Sequence, residues 1–182
     1  DLAIGAYGIV NRISFVFIMI VSGLTQGMQP IAGYNYGARQ MSRVYEVLKK
    51  TLLYATVVLT IGFLIGELCP RLVVAIFTDD PELVEKSIKG MRLVVGMFPL
   101  VSLSMVIGNF FQSIGKPKQA IFLSLSRQLI FLIPSLWLLP LFFDIAGVWV
   151  SFMVSDFLAS VVAVILLLNF IRKNKPHEQL QS

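Results

Sequence analysis

The sequence predicts an all-α integral membrane protein of about five transmembrane helices, and three observations carry that expectation. Apolar residues make up 57% of the 182 positions and only 14% are charged, with a mean hydropathy of +0.82, too little polar surface to cover a soluble domain. A hydrocarbon core of roughly 30 Å takes about 20 helical residues per crossing, and apolar runs of that length are centred near Met19, Val58, Leu103, Ile130 and Val161. Lysine and arginine collect in alternate connections, as expected when a chain is threaded back and forth through a bilayer. The runs are too long for barrel strands of about 9 to 11 residues and lack their alternation, which speaks against a closed barrel.

Taken in order, the first span is expected over about Ile9 to Tyr34 and the second over about Leu48 to Leu68. Gly62 and Gly66 on the second span form a small-xxx-small pair suited to close helix approach, and are read as packing. The connection Cys69 to Gly90 contains Asp80 followed by Pro81, an N-cap with proline at the first helical position, so the helix of the third span starts there, outside the lipid. The third span itself covers about Met91 to Ser113, the fourth about Ala120 to Phe143 and the fifth about Ala146 to Ile171. Pro30, Pro99 and Pro134 mark positions where the hydrogen-bond ladder can loosen and bend. The chain thus divides into a transmembrane bundle, residues 1–171, and a short polar tail, residues 172–182.

Five crossings put the termini on opposite faces. Nine basic residues fall on one side: Arg39, Arg43, Lys49, Lys50, Lys116, Lys118, Arg172, Lys173 and Lys175. Five fall on the other, Arg12, Arg71, Lys86, Lys89 and Arg92, while Arg127 lies within a span. The positive-inside rule makes the larger group cytoplasmic, with Asp1 outside and the polar tail inside. The net charge of +5 does not point to nucleic acid, because the basic residues sit at helix ends and form no patch interleaved with aromatics. One cysteine, Cys69, and one histidine, His177 in the tail, exclude an internal disulfide and a Cys/His metal cluster. The sequence has no P-loop, GxSxG elbow or HExxH, so an enzyme is not expected and no metal or cofactor is called for. The chain begins at Asp1 without a leader segment, and the expectation is that it is the C-terminal part of a longer protein.

At the inner end of the first span the sequence reads Gly23-Leu24-Thr25-Gln26-Gly27-Met28-Gln29-Pro30-Ile31-Ala32-Gly33-Tyr34-Asn35-Tyr36-Gly37-Ala38, too polar for a lipid-facing helix end. This stretch resembles that of the multidrug and toxin extrusion (MATE) family of cation-coupled exporters. The resemblance continues at Phe111-Gln112-Ser113-Ile114-Gly115-Lys116-Pro117-Lys118 and at Gly147-Val148-Trp149, and covers the chain up to about Ile171. It implies twelve helices in two six-helix lobes around a central cavity, with this chain supplying helices eight to twelve of the C-terminal lobe. The implied activity is secondary active antiport in a bacterial inner membrane, exporting organic cations, drugs or toxins against protons or sodium by alternating access. The implied partners are membrane lipid, a small organic cation and the N-terminal lobe, with no nucleic acid. A coupling carboxylate in such families is commonly found in the first lobe or on helix seven. Two alternatives stay open: a lipid-linked oligosaccharide flippase of the same superfamily, and a membrane subunit that transports nothing.

Helical spacing adds an independent reading. Phe15, Met19, Ser22, Gln26 and Gln29 follow steps of about four and three and share one helix face. The third span repeats the steps with Phe98, Ser102, Met105, Asn109 and Gln112. Both helices run from outside to inside, so their amides are expected at similar depth, either lining a substrate cavity or bonding neighbouring helices. Two full charges also fall inside spans. Arg127 lies about nine residues past Lys118 and Asp156 about ten past Ala146, which puts both roughly 14 to 15 Å deep at 1.5 Å per residue. A lone charge there costs about 2.5 to 3.5 kcal/mol, so the two are expected to form an intramembrane pair, structural or part of ion coupling.

Overall fold

Long apolar runs with few breakers leave the backbone one way to satisfy its polar groups in lipid, which is to form helices. The computed structural model describes residues 2–174; the expectations for Lys175, His177 and the rest of the tail beyond residue 174 fall outside them. The elements are α1 (Leu2–Gly37), α2 (Met41–Leu68), α3 (Pro70–Ala75), α4 (Pro81–Val95), α5 (Phe98–Ser113), α6 (Pro117–Leu125), a π-helical segment (Ser126–Leu132), α7 (Ile133–Leu138) and α8 (Pro140–Lys173). Four stretches are long and apolar enough to cross a bilayer, Ile4–Gly37, Met41–Leu68, Pro117–Asp144 and Ala146–Lys173, and α4 with α5 makes a fifth, broken span.

The first span is longer than expected at both ends. Its 36 residues rise about 54 Å, well past the hydrocarbon core, and Pro30 is accommodated inside it. The expected N-cap of the third span is present: Asp80 Oδ1 accepts from the backbone N–H of Glu82 at 3.0 Å and of Leu83 at 3.5 Å. The helix that starts there does not run straight to Ser113. It breaks at Gly96 and Met97 and resumes at an angle of 50°. The cause is Pro99, which has no N–H for the carbonyl of Val95 and whose ring clashes with it. A short helix, α3, opened by Pro70, interrupts the connection between the second and third spans, where the sequence reading has no helix before Asp80.

The fourth span departs most from a regular helix. Over Ser126–Leu132 the ladder slips to the wider π register, and the N–H of Ile133 bonds the carbonyl of Gln128, five residues back. Pro134 follows at once, so the slip occupies the turn where the proline has already removed a donor. Asp144, at φ 47° and ψ −133°, then reverses the chain into the fifth span. The hairpin closes tightly, because a Cβ on Gly147 would lie 2.5 Å from the backbone carbonyl of Leu139.

The core lies around α5, which packs against α1, α2, α6 and α8. Val106, Ile107, Phe110 and Phe111 on α5 are fully buried. Gly62 and Gly66 do serve close approach: Cβ atoms there would stand 2.9 Å from the Phe17 ring and 3.0 Å from Val95.

Candidate substrate cavity and intramembrane ion pair

The three motif segments of the sequence are used in the fold for close packing. A Cβ on Gly33 would sit 2.8 Å from the carbonyl oxygen of Ser113, so the first segment needs glycine to lie against the second. Gly115, at φ 70°, turns the chain out of the third span in a conformation that favours glycine. The next residue, Lys116, lays its ammonium 4.5 Å over the ring of Phe170, which also meets Phe111 edge-on at 5.9 Å. In the third segment Trp149 fills a notch at Gly90, where a Cβ would stand 2.7 Å from the indole ring.

The two amide stripes touch at one point. Gln29 Nε2 donates to Asn109 Oδ1 at 3.2 Å, and Asn109 Nδ2 donates to the carbonyl of Met105 at 2.9 Å, which fixes the orientation of the amide. The other members separate. Phe15, Met19 and Gln26 are exposed and Ser22 is half-buried, and none of them lines the cavity described below. Ser102 corrects the sequence reading. It is fully buried, bonded at 2.9 Å to the hydroxyl of Thr56 and at 2.6 Å to the carbonyl of Pro99, and so ties the second and third spans together instead of facing a cavity. Phe98 is likewise buried, against Phe17. All five residues of this stripe do lie on the one helix α5, but its N-terminal half is covered by the first and second spans, through Phe17 and Thr56, and of the five only those from Met105 onward open on the cavity.

A cavity of about 450 Å³ opens between the third, fourth and fifth spans. The third span contributes Ser104, Met105, Asn109 and Gln112, the fourth Ser124, Arg127, Gln128 and Leu132, and the fifth Phe152 and Ser155. Sequence reasoning missed the fourth-span polar residues as cavity liners. Their signal was present, since Ser124 and Gln128 are four residues apart and flank Arg127 on the same side of a helix.

Arg127 and Asp156 lie where matched depth requires. Arg127 Nη2 is 2.7 Å from Asp156 Oδ1, an ion pair. The two partners are unequal in access: the arginine side chain is 46% exposed and the aspartate 13%. Next to the pair, the Ser160 hydroxyl lies 2.7 Å from the backbone carbonyls of both Leu100 and Asp156 and shares its single proton between them, linking the fifth span to the third. Among the described residues no group of three His, Cys, Asp or Glu side chains converges as a metal site would require.

A family model described as MatE matches residues 1–138. The multidrug export protein MepA of Staphylococcus aureus (strain MSSA476) is 23% identical over 167 residues, which cover 92% of this chain and 37% of that protein. Among solved structures, the MATE multidrug transporter DinF-BH, in its ligand complex, matches with a TM-score of 0.83 at 39% identity, over 91% of this chain and 37% of DinF-BH. The Vibrio cholerae MATE transporter VcmN in the bent form matches in fold with a TM-score of 0.86 at 18% identity, over 96% and 40% of the two chains. The chain therefore spans about two fifths of the length of the proteins it matches.

Proposed function

The chain belongs to the MATE family, and on that footing we propose that it forms part of the C-terminal lobe of a secondary active antiporter exporting organic cations or related amphiphiles against protons or sodium. The observation that carries this reading is the polar cavity itself. Amides, hydroxyls and a guanidinium gathered inside an apolar bundle are costly unless water or a ligand occupies the space, and about 450 Å³ is in the range of a drug-sized molecule. Met105 and Phe152 give that space a soft, adaptable wall. Nothing in the arrangement calls for covalent chemistry. Transport by this reading is a shift between states facing either side, with substrate and coupling ion favouring opposite states, and the cycle needs the N-terminal lobe as a partner.

The orientation that goes with the proposal has the N-terminus outside and the C-terminus in the bacterial cytoplasm. A test therefore uses the protein with both lobes. Reconstituted in liposomes, it is expected to move a fluorescent organic cation when a proton or sodium gradient is imposed, and the gradient that works identifies the coupling ion. Equal dye movement with and without either gradient contradicts antiport, and lipid-linked oligosaccharide then becomes the substrate to try.

A further inference from the structure

The cavity presents its two charges unequally. Arg127 lines it and is nearly half exposed, whereas Asp156 does not line it and its Oδ1 is sealed from solvent behind the guanidinium. Arg127 is the one charged side chain among the described liners. A molecule entering between the third, fourth and fifth spans therefore meets a cation first. An organic cation would face like charge and could reach Asp156 only by displacing the arginine.

The guanidinium also has capacity to spare. It carries five N–H donors in a planar fork, and within this chain the ion pair with Asp156 engages Nη2. The amides of Gln112 and Gln128 stand at the same cavity without a described partner, in contrast to Asn109, which is occupied by Gln29 and by the carbonyl of Met105. Met105 and Phe152 supply apolar surface alongside. A planar fork flanked by amide donors is the arrangement that holds a carboxylate, sulfonate or phosphate oxygen pair.

We propose that this cavity is a binding site for the acidic group of an amphiphile, with Arg127 as the anion ligand, Gln112 and Gln128 as its neutral neighbours, and Asp156 as the residue that positions Arg127 and competes for it. The proposal rests on the exporter reading above and narrows its substrate class from simple organic cations to amphiphiles that carry an acidic group; it is tested without transport, so its failure and the failure of that reading are separable.

The experiment uses the two-lobe protein in phosphatidylcholine nanodiscs, with saturable binding of dansyl-glycine compared to dansyl-glycinamide, which has the same body without the carboxylate. The expected result is a preference for the carboxylate of about tenfold, the size of one charge-assisted hydrogen bond. Arg127→Gln should abolish the preference and Arg127→Lys should keep part of it. Asp156→Asn should tighten dansyl-glycine binding, because it removes the competing anion; a residue that only supports the fold cannot do that. Melting of each variant in parallel separates lost folding from lost binding. Displacement of dansyl-glycine by added phosphatidylglycerol assigns the site to a lipid headgroup, retained binding assigns it to a free solute, and both uphold an anion site. Equal affinity for the two probes, or weaker binding in Asp156→Asn with a preference unchanged in Arg127→Gln, overturns it.

Discussion

The fourth span and the other four spans are built to different standards of fit. Where the first three spans meet one another, glycines set the distances: Gly33 against the Ser113 carbonyl, Gly62 against Phe17, Gly66 against Val95. No larger residue fits those places without displacing a neighbour, and the space is filled by buried aromatics and aliphatics. The fourth span is held otherwise. Only 11% of its most apolar window is buried, against 33% for the first and fifth spans, and its ladder is interrupted by the π segment and Pro134. It is fixed at its C-terminal end by the tight Gly147 turn, and at mid-length by the Arg127 and Asp156 pair beside a cavity. The lobe thus has a scaffold specified by shape and an arm specified by a few polar contacts. Chemistry that must respond to a ligand belongs on the arm, where few packing contacts have to be remade.

Gly33 offers the harshest test of this division. Replacement by valine puts a side chain into a backbone carbonyl that cannot rotate away, with an expected cost of about 3 kcal/mol, read as a large drop in melting temperature of the two-lobe protein in detergent. On the arm, Arg127→Gln leaves Asp156 sheltered and unpaired. The expected loss is about 2 kcal/mol, reduced from the value for a fully buried pair because the arginine is half exposed, and the double variant Arg127→Gln with Asp156→Asn should recover most of it by the same melting measurement. Ser102→Ala removes the tie to Thr56 and should cost about 1 kcal/mol. At the small end, Gly23 and Gly27 have nothing within 4 Å of where a Cβ would be. Alanine at either is expected to leave stability unchanged or raise it by about 0.5 to 1 kcal/mol through helix propensity. A Gly23→Ala loss as large as that of Gly33→Val would dissolve the distinction between fitted and open glycines.

Much of the scaffold was legible in the sequence because lipid imposes simple rules. Apolar run length located all five spans, Asp80 with Pro81 gave the start of α4, and equal depth brought Arg127 and Asp156 together. What escaped was local and depended on tertiary contact. A proline three residues past Gly96 is compatible with a bend or with none, and the 50° angle it takes here is not written in the residues themselves. Ser102 is core because the second span covers its end of α5 through Thr56, a tertiary contact that helical spacing does not report. Pro134 marked in the sequence a place where the ladder can loosen, but not that the slip would take the π register over Ser126–Leu132. The motif glycines were visible as letters, but their reason, a neighbour within 3 Å, belongs to the fold. Ser124 and Gln128 escaped because small polar residues four apart are equally at home facing a neighbouring helix, and only the opening beside Arg127 makes them cavity wall.

By the proposed function, the cavity on the arm handles substrate while the scaffold polar groups only hold helices together. Gradient-driven movement of a fluorescent amphiphile carrying both a cationic group and a carboxylate, per folded molecule in liposomes, compared for Gln112→Ala and Ser102→Ala of the two-lobe protein, separates the two roles directly. Gln112→Ala is expected to keep its melting temperature and lose most of the transport rate, while Ser102→Ala melts lower and transports at the parent rate. Transport lost in Ser102→Ala and intact in Gln112→Ala would contradict that division of labour.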